Sequence, residues 1–300
     1  MTRQAYLVLL GAALFWGGNN VAARFGVGHV SPGVLTMLRW VVALALLGWF
    51  ARRELARDWP IIRRHWPALF AYGAVGFAGF NMAIYTAAGF TSIVNMSIEQ
   101  AAMPILIFLI NFVLFRVGIA WLQLAGVLAS LLGIAVVATN GDLARLSTLD
   151  LNVGDALNLT ACLIYAVYTV MLRFRPQLHW KSWMMTLGFA ALLASLPYVG
   201  WEWTAGQFLW PDLQGMAVVL YTGIFPSLLS QTLYLKGNEL IGANRAGLFI
   251  NMVPVFGTLL SILLLGEPFH GYQALAFTLV MGGIAMAEMA GRKKAAAATQ

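Results

Sequence analysis

The residues of this chain that could do chemistry are few, and they lie inside apolar runs. Asn95, Ser97, Glu99 and Gln100 stand in one short stretch that passes through Met103 and Pro104 into the almost wholly apolar residues 105–115. A carboxylate in hydrocarbon costs roughly 2.5 kcal/mol or more unless it faces a partner or a water-filled cavity. Three roles stay open for Glu99: an ion pair with Arg39, a contact to a substrate ammonium, or a proton carrier. Arg39 lies seven residues past Pro32 and Glu99 seven past Ser92. Each is therefore roughly 10 Å into its helix, a matched depth that suits the pair.

Pro104 withholds its N–H and crowds the carbonyl of Gln100, so the helix should bend where the charge sits. About 150 residues later the plan recurs: Asn244 answers Asn95, and Pro254 answers Pro104, with Asn251 one turn before it. Two carbonyls freed by prolines, at Gln100 and Ile250, would suit a midplane site for a polar small molecule. The alternative is that the prolines only shape the bundle.

Other polar and aromatic residues form helical faces. Trp16 and Asn20 share one with Asn19, beside a Gly17-Gly18 pair that permits close helix approach. Asn81 and Tyr85 are spaced i, i+4; Tyr165 faces Thr169 with Tyr168 alongside; Gln231 and Tyr234 form a further set. Met103, next to the bend, is grouped with them. Buried hydroxyls and amides need partners that lipid cannot supply, so these residues are expected to line a cavity or to bond between helices. In a cavity they would hold a substrate by stacking and hydrogen bonds. Trp59, Trp201, Trp203 and Trp210 are expected in the interfacial belt.

The elements that must position these groups are membrane helices. Of 300 residues, 61% are hydrophobic and 10% charged, against about 25% charged in soluble domains. The chain is expected to be all-α, with ten transmembrane helices at 5–24, 32–50, 67–88, 93–115, 119–139, 154–174, 182–203, 213–236, 243–264 and 270–290. The longest polar connections run from Ala51 to Trp66 and from Asn140 to Val153. Residues 5–139 and 154–290 then form two five-helix repeats joined by the linker 140–153, with 291–300 a basic cytoplasmic tail. Five spans per repeat is odd, so the second repeat must enter the membrane inverted. Echoes at nearly one offset support the pairing: Tyr72 with Tyr221, Tyr85 with Tyr234, and Gly133-Ile134-Ala135 with Gly283-Ile284-Ala285. With both termini cytoplasmic, every Lys and Arg except Arg24, Arg39 and Arg145 falls on the inner side. The apolar run after Arg3 lacks a cleavage site and is read as a retained first span.

Composition also narrows the chemistry. Cys162 is the sole cysteine and the four histidines are scattered, so neither a disulfide nor a metal site is expected. No HExxH or GxSxG pattern, paired intramembrane aspartates or GxxxxGK[ST] loop occurs, which argues against an intramembrane enzyme and ATP drive. The net charge of +7 is spread between apolar runs, unlike a nucleic-acid surface. No cofactor is expected; the partners are a small-molecule substrate and the lipid bilayer, and a monomer would suffice.

Phe15-Trp16-Gly17-Gly18-Asn19-Asn20, the mid-span Pro104 and Pro254, and the Gly266-Glu267-Pro268 turn resemble the drug/metabolite transporter superfamily, over about residues 5–290 as two EamA-type halves. Residues 97–104 look most like its YddG-type branch of bacterial inner-membrane exporters of amino acids and some drugs. The resemblance implies export of aromatic and other neutral amino acids through a central cavity by alternating access. A carrier of anionic metabolites or nucleotide-sugars of the same superfamily is the alternative. The first half departs from the pattern, with Arg116-Val117 where the second has Gly266-Glu267.

Overall fold

The computed structural model describes residues 2–116, 121–142, 152–242 and 246–297. Apolar runs in hydrocarbon must satisfy their own backbone groups, and helices do so within one segment. The described helices are α1 (Thr2–Gly26), α2 (Pro32–Tyr72), α3 (Phe80–Ala87), α4 (Ile93–Ala101), α5 (Met103–Phe115) and α6 (Trp121–Ala138). They continue with α7 (Val153–Met171), α8 (Trp180–Thr204), α9 (Leu213–Ile224), α10 (Ser230–Ile241), α11 (Met252–Leu260) and α12 (Gly271–Ala297). π-Helical turns at Gly73–Gly79 and Phe225–Leu229 join α2 to α3 and α9 to α10, and Ser261–Leu265 extends α11.

Seven of the described helices are long and apolar enough to cross a membrane, and shorter apolar helices cover Phe249–Leu265 and Gly271–Met286. Large apolar side chains stand on the outside of these helices, Val113 at 71% exposure and Leu263 at 76%. Lipid is the solvent that makes such a surface stable. Trp59, Trp201, Trp203 and Trp210 are likewise exposed.

One connection is not a loop. Residues 51–66 continue α2 as helix, so helical backbone runs from Pro32 to Ala87 across one kink. The direction changes at His65 (φ −111°, ψ 16°), two residues before Pro67. Pro67 cannot donate to the preceding turn, so a polar stretch rich in strong helix formers kinks instead of unwinding. The segment is also held from outside: Asp58 Oδ2 accepts the N–H of His179 at 2.8 Å, and Lys181 donates to Glu54 at 2.7 Å. At the other extreme, α12 runs on to Ala297, so the backbone of residues 291–297 is helical. Of the expected linker, residues 143–151 lie outside the described residues, as do Val117, Asn244 and Arg145 with their proposed correspondences.

The helices pack in pairs that mirror one another. α6 lies along α12 and α2 along α8; α1 meets α10 as α7 meets α3; α1 meets α11 as α7 meets α4 and α5. Glycines set the closest of these contacts. A Cβ on Gly17 would come within 2.7 Å of the Gly257 nitrogen, so α1 and α11 touch backbone to backbone. A Cβ on Gly133 would lie 2.7 Å from Val280 Cγ2 and 2.9 Å from the Ala276 carbonyl. Gly133→Leu is therefore expected to overpack α6 against α12 and cost about 1–3 kcal/mol. The check is the temperature at which Cys162, buried in the folded chain, becomes reactive to a thiol dye in detergent. An unchanged temperature would contradict the contact.

Candidate functional site

Two breaks and two π-turns bring the polar residues together. α4 ends at Ala101, and Ala102 (φ −79°, ψ −2°) separates it from α5, which begins one residue before Pro104. In the second copy, 3₁₀ turns over Gly247–Asn251 precede α11 and Pro254. The π-turns Gly73–Gly79 and Phe225–Leu229 occupy corresponding places in the third and eighth predicted spans. The extra residue in such a turn re-aims the side chains within and after it, among them Ser227 and Asn81.

Between these elements lies a cavity of about 1350 Å³. Of the residues singled out in sequence, Trp16, Asn20, Asn81, Met103, Tyr165, Tyr168, Gln231, Tyr234 and Asn251 line it, with Pro104 and Pro254. Aromatic rings meet along its wall: Trp16 with Tyr234 at 5.5 Å between centroids, Phe80 with Tyr165 at 4.8 Å, and Trp40 stacked on Phe77 at 4.9 Å. Trp16 Nε1 donates to the Pro226 carbonyl at 3.1 Å, which fixes the indole.

Tyr85 and Glu99 do not line the cavity; each stands behind it in a hydrogen-bonded cluster. The first cluster is centred on Arg39, which is 4% exposed and does face the cavity. Its Nε and Nη2 donate to Ser227 Oγ at 3.1 and 2.7 Å, and its Nη1 donates to Asn81 Oδ1 and the Tyr85 hydroxyl. Tyr85 in turn donates to Asn19 Oδ1 at 3.1 Å. The second cluster begins at Asn20, whose amide donates to Gln100 Oε1 at 2.9 Å. Gln100 donates to Asn158 Oδ1 at 3.0 Å, and Asn158 donates to Glu99 Oε2 at 2.6 Å. Glu99 is 0% exposed.

The expected Arg39–Glu99 ion pair is thus absent. Equal depth does not bring two side chains onto facing sides: Arg39 turns toward the π-turn serine, and Glu99 turns toward α7. Sequence reasoning missed Asn158. Its signal was available in Asp155, Asn158 and Cys162, spaced i, i+3, i+7 on one face of an apolar helix. The partnership of Arg39 with Ser227 depends on the π-turn and had no sequence signal.

One end of the molecule is sealed. Buried Glu202 accepts the Ser31 hydroxyl and the Gly33 N–H, both at 2.7 Å. Arg24 donates to the Ala88 carbonyl at 2.6 Å, and the Glu267 carboxylate accepts the N–H groups of Ile93 and Val94 at 3.0 Å. Glu267 therefore satisfies two of the orphan donors at the start of α4 and meets its positive dipole end. His29 bonds Asp212 at 2.7 Å, and the Gly215 N–H, followed by His29, holds the Asp212 carboxyl below its usual range. Toward the other end the cavity reaches Leu172, Arg175 and Leu178, between α7 and α8, and Asn238 late in α10. Here the hydrogen bond from Lys181 holds the Glu54 carboxyl below its usual value.

The model of the EamA-like transporter family matches this chain twice, over residues 3–139 and 152–289. The uncharacterized inner membrane transporter YicL of Salmonella typhimurium is 25% identical over 313 residues, covering 99% of both chains. The uncharacterized transporter YyaM of Bacillus subtilis is 23% identical over 283 residues, covering 93% of this chain and 92% of its own. A solved crystal structure has the same fold, with a TM-score of 0.64 at 22% identity over 98% of this chain and 99% of that one.

Removing the amide that serves Glu99 isolates a buried acid, which costs about 1–3 kcal/mol. Asn158→Leu is expected to lose that much stability and lower the thermal midpoint, and Asn158→Leu with Glu99→Met to recover most of the loss. The same Cys162 unmasking measures both. Additive losses would disprove the coupling.

Proposed function

The chain belongs to the EamA-like transporter family, and we propose that it exports neutral amino acids, aromatic ones included, with related metabolites or drugs, across the bacterial inner membrane. It is a multi-pass membrane transporter; the substrate class and the route are the proposal. The observation that carries it is the Arg39 guanidinium, buried at the cavity wall and bonded to Ser227, Asn81 and Tyr85, all neutral. A buried charge without an opposite charge is costly, and a substrate carboxylate would supply one. Trp16, Tyr165 and Tyr234 offer rings for an aromatic side chain, and Asn20, Gln231 and Asn251 offer amides for an ammonium.

Alternating access supplies the route. In this reading the helix kinked at His65 crosses twice, which with the two shorter apolar helices makes ten crossings in two inverted repeats, 5–139 and 154–290. The mirrored helix pairs support that arrangement. The excess of positive charge favours a cytoplasmic side for both termini and for the cavity mouth at Arg175. The conformation is then open to the cytoplasm and closed outside by the Glu202, Arg24 and Glu267 contacts. Rocking of one repeat against the other would reverse it.

The second reading, a carrier of anionic metabolites, draws on the same arginine. A phosphate or nucleotide-sugar would be better met by clustered cations, and Arg175 stands at the mouth instead of beside Arg39. Purified protein in liposomes decides between them. Labelled tryptophan and leucine should cross while tryptamine, which has no carboxylate, should not. Arg39→Gln should slow tryptophan by about 10- to 100-fold, the worth of hydrogen bonds to a charged group. Folded protein that moves no amino acid would defeat the proposal, and movement of a phosphorylated metabolite alone would favour the second reading.

A further inference from the structure

A second carboxylate lies next to Glu99. Asp155, in the first turn of α7, is 1% exposed, and Asn158 one turn later holds Glu99. Asp155 Oδ1 accepts the Thr91 hydroxyl, while Asp155 Oδ2 and Glu99 Oε1 are buried without any hydrogen-bond donor. The titratable groups facing the pair do not compensate it. Cys162 lies beside Glu99, and Tyr272 of α12 lies toward Asp155. Arg24 is committed to the Ala88 carbonyl, and Glu267 spends its charge on the start of α4. Two carboxylates in such a place cannot both be ionised without a bound cation.

The pair sits between two wet spaces. On the sealed side is a pocket of about 400 Å³, lined by Thr91 and Asn95 together with Arg24, His270 and Tyr272. Thr91 is the residue that bonds Asp155. On the other side, Asn158 and Gln100 connect Glu99 to Asn20, and both Gln100 and Asn20 line the main cavity. One orphan oxygen on each acid suits a shared proton.

We propose that Glu99 and Asp155 form a shared proton-binding site that couples inward proton movement to substrate export. This rests on the exporter reading above. A proton from water in the outer pocket adds to Asp155 and passes to Glu99. It leaves Glu99 for cavity water when α4 swings about its break at Ala102; only bonds to hydrogen form or break. With one proton the pair carries a single negative charge in place of two, which the buried site can hold more readily. Deprotonation requires contact with water, so the proton and the substrate take turns.

Two measurements on the full chain test this, and one needs no substrate. Infrared spectra of the protein in lipid should contain the C=O band of a protonated carboxyl group at neutral pH. That band should be lost in Glu99→Gln with Asp155→Asn. In liposomes, a pH gradient of one unit should sustain about tenfold accumulation of labelled tryptophan at one proton each. Glu99→Gln and Asp155→Asn should each abolish this while leaving gradient-free exchange of tryptophan intact. No such band, accumulation indifferent to pH, or drive by a sodium gradient would overturn the coupling site and leave the exporter reading standing. The band without any amino-acid transport would retain the proton site and overturn the exporter reading.

Discussion

A polar group inside hydrocarbon must find its partner within the protein, and this constraint organises the molecule. Arg39 reaches Ser227, Asn81 and Tyr85, drawing α2, α3 and the π-turn before α10 to one point. Asn20, Gln100 and Asn158 tie α1, α4 and α7 together in the same way. Apolar packing in lipid gives helices little reason to prefer one neighbour over another, because lipid tails are as apolar as leucine. Hydrogen bonds and close glycine contacts supply that preference here.

The same constraint shapes the contacts at the sealed end of the molecule. The shut end is held by carboxylates that do structural work. Glu202 serves a hydroxyl and a backbone N–H, and Glu267 caps the buried start of α4. Contacts of this kind are strong when dry and are readily exchanged for water, so a seal made of them can close firmly and still open. The aromatic wall has the opposite character. Rings such as Trp40 on Phe77 pack face to face and give the cavity a surface against which a substrate could stack.

The Gly266-Glu267-Pro268 turn shows how a half-read motif gains its meaning. In sequence it was a mark of resemblance, with no counterpart at Arg116 in the first half. In the structure, Gly266 and Arg116 are both left-handed, with φ of 65° and 51°, so the two helices end alike although the acid does not recur. The acid acts on α4, the broken helix that carries Glu99. An asymmetric residue thus serves an asymmetric helix.

Helix content, membrane location, the bends near Pro104 and Pro254 and most of the cavity wall were legible in sequence. Hydrophobic run length, proline and helical spacing are local, and lipid enforces them. The helix through residues 51–66, the π-turns, the partners of Arg39 and the joining of Glu99 to Asn158 and Asp155 were not. Arg39 and Glu99 had equal depth, which periodicity measures; which way each turned depended on neighbours contributed by distant helices, which periodicity does not. Sequence by itself determined what each helix must hide and at what depth. Only the tertiary structure decided from which side each polar group is answered, because hydrogen bonds act within about 3 Å and that proximity is created by packing.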